Sequence, residues 1–179
     1  MSTAPFRVVA WESSHDRTTF DSGSDALDHY FRRQLSQDIR RRVTACFVAL
    51  TSETRIAGLY TLASASLLLT DLPASLQKKL PRYPTVPAVR MGRLAVDRTY
   101  RGQGLGGALL ADALARTLRA EIAAYAFVVD AKDETTAAFY QHHGFLRLSD
   151  SGRMLFLPLA TAGSGSHREI EILIYAIKS

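Results

Sequence analysis

Gly102, Gly104 and Gly106 fall within five residues, between a run that reads as a strand (89–96) and one that reads as a helix. In that helix Leu110, Leu114 and Leu118 form one row with Leu109 and Ala113 beside it, while Asp112, Arg116 and Arg119 take the polar face. Glycine tolerates positive φ and lets backbone approach a ligand closely. The first turn of a helix leaves N–H groups without intrahelical partners and carries partial positive charge. Strand, glycine loop and helix start together make a seat for a phosphate or pyrophosphate. On its own, such a loop is more often an ordinary turn.

The rest of the chain supplies a sheet for this loop to sit on. Residues 6–11 read as a first strand, and Ser24 or Asp25 can cap a helix in which Leu27, Phe31, Leu35 and Ile39 recur every fourth position. Residues 43–50 and 56–65 read as a hairpin. Pro73, Pro81, Pro84 and Pro87 mark a loop with room for a short helix over 74–80. A strand over 125–130, a helix over 133–143 closed by Gly144 and a strand over 154–159 follow. The order β-α-β-β-β-α-β-α-β is an α+β layout, a mixed central sheet flanked by helices. With 179 residues, 47% hydrophobic and 22% charged, one globular domain is expected over 1–162. Residues 163–179 open on Gly163-Ser164-Gly165-Ser166 and continue with alternating Ile170, Ile172 and Ile174. A native edge strand, a fused segment and an appended tail all fit them.

Cys46 is the single cysteine, which excludes an internal disulfide framework, and no apolar run is long enough for a membrane span. Residues 1–10 lack the pattern of a secretory leader, so a cytoplasmic protein with no membrane partner is expected. Cys46 itself reads as a small buried hydrophobe and Trp11 as core or sheet end. Lys+Arg 22 against Asp+Glu 17 leaves +5, and arginines outnumber lysines 18 to 4. A guanidinium fork suits phosphate, although a GC-rich genome also favours arginine codons. No metal is expected: His142 and His143 diverge by about 100° on a helix, and His15, His29 and His167 offer no ligand spacing.

Two stretches then match a known pattern together. Gly92-Arg93-Leu94-Ala95-Val96-Asp97 followed by Arg101-Gly102-Gln103-Gly104-Leu105-Gly106 resembles motif A of the GNAT N-acetyltransferases. Phe139-Tyr140-Gln141-His142-His143-Gly144-Phe145 resembles their motif B. The resemblance implies the GNAT fold and acetyl-CoA as co-substrate. It places the pyrophosphate on Arg101, Gly102, Gln103, Gly104, Leu105 and Gly106, and the thioester beside the backbone of Leu94, Ala95 and Val96. Tyr140 would then stand at the sulfur as general acid. Apart from the motif, Tyr140 reads as a core aromatic, as do Phe139 and Phe145. Asp133 and Thr136 depart from the Asn and Ala usual in the family.

A narrower likeness runs through Pro81-Arg82-Tyr83-Pro84 into Val89–Asp97, with Phe20-Asp21-Ser22-Gly23, Tyr60-Thr61-Leu62 and Val129-Asp130-Ala131. These resemble the TacT/AtaT-like toxins of toxin–antitoxin systems. That branch acetylates the α-amine of aminoacyl-tRNA and blocks translation, and a ribbon-helix-helix antitoxin neutralises it. A homodimer is implied as well. Arg82, Arg90 and Arg93 are then the candidates for tRNA phosphates, with the Arg40–Arg42 run, Lys78 and Lys79 weaker ones. Arg116 and Arg119 are expected to be indifferent. Two other readings stay open: a GNAT enzyme acting on a protein N-terminus or small amine, and a non-catalytic CoA-binding module.

Overall fold

In the computed structural model, residues 5–148 and 152–159 are described. The upper boundary expected at 162, and the whole stretch 163–179, lie outside them. Strands β1 (Arg7–Ala10), β2 (Ala45–Leu50), β3 (Ile56–Leu68), β4 (Thr85–Val96), β5 (Ala126–Asp130), β6 (Leu146–Arg147) and β7 (Met154–Pro158) form one sheet in the order β1-β2-β3-β4-β5-β7-β6. Every neighbouring pair is antiparallel except β4 and β5.

Alternation along the strands builds two cores. From β2, Cys46, Val48 and Leu50 join Phe31 of helix α1 (Asp25–Arg33), Leu35 of helix α2 (Leu35–Arg40) and Phe20 from the segment before them. Phe47 and Ala49 join the opposite core, where Leu105, Leu109, Leu110, Ala113 and Leu114 of α4 (Leu105–Arg119) pack on Tyr60, Phe127 and Phe145. Each buried leucine, valine or phenylalanine among them contributes about 1.5–3 kcal/mol on burial. The short α3 (Ala74–Gln77) and its flanks cover a third cluster around Leu67, Val86 and Phe156.

Periodicity over 27–39 suggests one helix, but the structure holds two, joined at Gln34. The Arg17 guanidinium donates to the Phe31 carbonyl at 2.7 Å, the group a continuous helix would offer to the Leu35 amide. The proline stretch also yields more strand than expected, since β3 runs to Leu68 and β4 starts at Thr85. Pro87 pairs opposite Ser66 without loss to that ladder. Its carbonyl accepts from the Tyr125 amide at 2.8 Å, on the side away from β3.

The strand that organises the molecule is β4. It pairs with β5 only from Ala88↔Ala126 to Met91↔Val129. At that point a bulge sets Gly92 and Arg93 against the single residue Thr61, whose hydroxyl accepts from the Arg93 amide at 3.0 Å. Beyond it β4 continues to Val96 with no strand on its β5 side, and the sheet opens into a cleft.

Arg116 is not an idle surface residue. It pairs with Asp112 at 2.8 Å, lies over the Phe47 ring at 4.2 Å and donates to the Val8 carbonyl at 3.3 Å. The Tyr60 hydroxyl donates to the same Asp112 carboxylate. One ion pair thus ties α4 to β1, β2 and β3. Arg116→Ala is expected to lower unfolding free energy by about 1–3 kcal/mol in a urea titration, whereas exposed Arg119→Ala should stay within about 0.5 kcal/mol.

Candidate functional site

The glycine loop leads into α4, whose first turn lines the cleft through Gly106. Gly102 (φ 78°) and Gly104 (φ 75°) are left-handed, and a Cβ on either would meet open space. Conformation, not crowding, is what requires glycine there. Gly104 is the N-cap of α4 and supplies no side-chain cap. The first intrahelical bond near it is Ala108 N–H to the Gly104 carbonyl, so the amides of Leu105, Gly106 and Gly107 present their protons outward. The Leu105 side chain is buried in the core, so only its backbone belongs to the site. Gln103 is exposed beside it.

Arg101 sits on this loop, but its guanidinium turns back and donates to the Ser22 carbonyl. A clasp surrounds that contact. Asp97 accepts from the amides of Asp21 and Thr99, each at 2.9 Å, and the Arg98 amide donates to the Asp21 carbonyl at 2.9 Å. Buried Asp28 accepts from the Ser22 hydroxyl at 2.7 Å. A Cβ on Gly23 (φ 85°) would stand 2.8 Å from Nη2 of Arg101. The 20–23 segment therefore holds the glycine loop from outside. Residues 20–23 stood out in the sequence only through the likeness to the toxin branch, and nothing there pointed to their partner, 79 residues on.

A cleft of about 450 Å³ extends forward from the loop, lined by Gly92 to Val96 and Gly106 on one side. Asp130, Lys132, Thr136, Phe139 and Tyr140 line it on the other, from the end of β5, the loop after it and α5 (Glu134–His142). Leu94, Ala95 and Val96 are thus brought to the open strand edge, facing Tyr140. Tyr140 is 4% exposed, and burial alone pushes its phenol up to about 12. Phe139, expected in the core, is instead 39% exposed and lines the cleft, edge-on to Tyr140 and to His143. Neighbouring residues on a helix diverge by about 100°, so with Tyr140 turned inward Phe139 falls on the exposed flank of α5. Phe145 does pack in the core. Asp133 caps α5, accepting from the Thr136 amide at 2.7 Å, which lowers its own pKa.

The three candidate arginines part company. Arg93 lies at the mouth of the cleft, and Arg90 sits nearby but pairs with Asp130 at 3.4 Å, both half-exposed. Arg82 stays on the exposed loop before β4, away from the cleft lining. Cys46 is buried, which pushes its thiol up to about 12 and leaves it inert.

The cleft brings together an open strand edge, a helix start with outward-facing amides and a buried phenol, and the Acetyltransferase (GNAT) domain family matches residues 44–147. The chain belongs to the GNAT acetyltransferases. The tRNA-acetylating toxin of Mycobacterium tuberculosis is 36% identical over 145 residues, covering 80% of this chain and 84% of that protein. A solved structure of AtaT complexed with acetyl-methionyl-tRNAfMet is 29% identical, covers 94% of this chain and 98% of its own, and superposes with a TM-score of 0.80. AtaTR bound with AcCoA is 26% identical over 94% of this chain and 98% of that one, with a TM-score of 0.76.

For this GNAT enzyme the clasp is the element that a substitution can probe without touching the cleft. Gly23→Ala adds backbone strain and displaces the Arg101 guanidinium. It is expected to weaken acetyl-CoA binding roughly 5- to 30-fold by calorimetry, equivalent to about 1–2 kcal/mol.

Proposed function

We propose that the enzyme transfers acetyl from acetyl-CoA to the α-amine of the aminoacyl group on charged tRNA and so blocks translation in the cytoplasm. A cognate antitoxin of the ribbon-helix-helix class neutralises it, and the working unit is a homodimer. The observation that carries the reading is the cleft itself: Tyr140 faces an unpaired strand edge, the free amides of α4 lie behind, and Arg93 stands at the mouth. The likeness to a tRNA-acetylating toxin and to a toxin holding acetylated methionyl-tRNA supports the acceptor.

The chemistry follows from the groups present. The amides of Leu105, Gly106 and Gly107 hold the pyrophosphate of acetyl-CoA by charge-assisted bonds. The edge of β4 from Leu94 to Val96 aligns the thioester and donates to its carbonyl oxygen as charge develops there. The neutral α-amine forms the C–N bond, the C–S bond breaks, and the surplus amine proton leaves to water. An α-amine has a reference pKa of about 7.7–8.0, so no strong base is required. Tyr140 donates its hydrogen bond to the departing sulfur. Burial keeps that proton in place up to about 12.

Three outcomes are expected. Tyr140→Phe should lower kcat by about 10²–10⁴ while acetyl-CoA binding persists. The pH profile of kcat/KM should rise through the amine's range and not fall again by about pH 10, because the Tyr140 phenol is still protonated there. With labelled acetyl-CoA, label should accumulate on charged but not uncharged tRNA. Arg93→Glu should reduce it about tenfold or more, and Arg119→Glu should leave it within about twofold. Label on peptides or polyamines and none on charged tRNA would overturn the acceptor assignment.

A further inference from the structure

A second pocket of about 400 Å³ lies beside the acetyl cleft and shares Gly92 and Arg93 with it as a common wall. Tyr30, Asp38, Thr44, Thr61 and Arg90 line it as well, together with the apolar Val43 and Ala63. The Arg93 guanidinium carbon stands 3.4 Å from the centre of the Tyr30 ring. Tyr30 is 6% exposed, and its hydroxyl donates to Asp38 at 2.8 Å, so the ring is fixed from α1 and α2 together. The Arg93 amide is in turn held by Thr61 within the bulge.

Arg93 differs from its neighbours in what remains free. Arg90 pairs with Asp130, Arg98 with Asp21, and Arg101 donates to Ser22. Among the described residues, Arg93 has no carboxylate partner, and its side chain makes no hydrogen bond. Stacking occupies the flat face of a guanidinium and leaves the in-plane N–H groups available, which suits bidentate binding of phosphate. The ring also removes the freedom to swing away, so less is lost when the bonds form.

We propose that this pocket receives the phosphodiester-linked 3′-terminal nucleotide of the acceptor. Arg93 holds its phosphate edge-on, and Tyr30 with Asp38 are the positioning residues that aim Arg93. The proposal rests on the aminoacyl-tRNA reading above. It adds a division of roles: Arg93 touches the acceptor, whereas Tyr30 and Asp38 act through Arg93. Arg90, already engaged by Asp130, is secondary.

The test compares two acceptors at saturating acetyl-CoA: charged tRNA, and the 3′-aminoacyl-adenosine of the same amino acid, which keeps the amine and nucleoside but has no phosphodiester. The readout is the ratio of kcat/KM on tRNA to that on the nucleoside. Arg93→Lys keeps the charge and loses the fork and stack; Tyr30→Leu removes the ring; Tyr30→Phe keeps the ring and drops only the Asp38 bond. The ratio is expected to fall roughly 2- to 30-fold in Arg93→Lys and Tyr30→Leu, the range a cation–π contact supports, through KM rather than kcat. Tyr30→Phe should retain most of it. Calorimetry with acetyl-CoA confirms that each variant is folded, and Arg93→Lys decides the matter if Tyr30→Leu is not. Equal losses on both acceptors, or an unchanged ratio in Arg93→Lys, would overturn the proposal while leaving the tRNA reading intact. A wild-type enzyme that acetylates the nucleoside and not charged tRNA would overturn both.

Discussion

The structure depends on how briefly β4 and β5 pair. Four residues of parallel ladder, Ala88 to Met91, hold the two halves of the sheet together before the strands part. A longer ladder would satisfy the amides and carbonyls from Gly92 onward with strand partners and close the cleft. The bulge opposite Thr61 prevents that by turning β4 at the residue where pairing stops. The residues assigned to catalysis in the proposed mechanism are arranged around this opening: α4 begins beside it with Gly106, α5 brings Tyr140 to it, and Arg93 lines it.

Much of this was legible in the residues. Strand and helix periods placed the main elements, and Ser24 and Gly144 mark the expected cap and stop, the latter at φ 89°. The glycine loop was readable as the link between a strand and a helix, and the pattern over 133–143 placed Tyr140 on a helix further along the chain. What stayed hidden depends on tertiary partners. The break at Gln34 comes from a guanidinium supplied by Arg17, and no window of helical period contains that information. Strand continuation through Pro87 depends on which side of the ladder its nitrogen faces. Phe139 and Arg116 exchanged places with their simplest readings, an apolar residue turning outward and a charged one turning in.

The arginines show why net charge is a poor guide to a binding surface. Of the +5, part is spent inside the fold. Arg17 closes a helix turn, Arg32 donates to the Phe20 carbonyl, Arg101 fastens the glycine loop and Arg116 knits α4 to the sheet. A guanidinium donates to neutral carbonyl oxygens as well as to phosphates, so an arginine-rich chain can use many of its cations as fasteners. Those remaining at the cleft are few, and their value lies in orientation more than in number.

On the proposed mechanism, helix α1 is attached at both ends of the reaction. Through Asp28 and Ser22 it touches the loop behind the acetyl donor, and through Tyr30 it touches the arginine at the acceptor side. A single rigid rod serving two sites limits how such an enzyme can diverge. Drift that shifted α1 to admit a new acceptor would disturb the donor seat in the same step. Change of acceptor is therefore channelled into the pocket walls that α1 does not carry, Val43, Thr44 and Ala63, where a substitution alters shape without moving the rod.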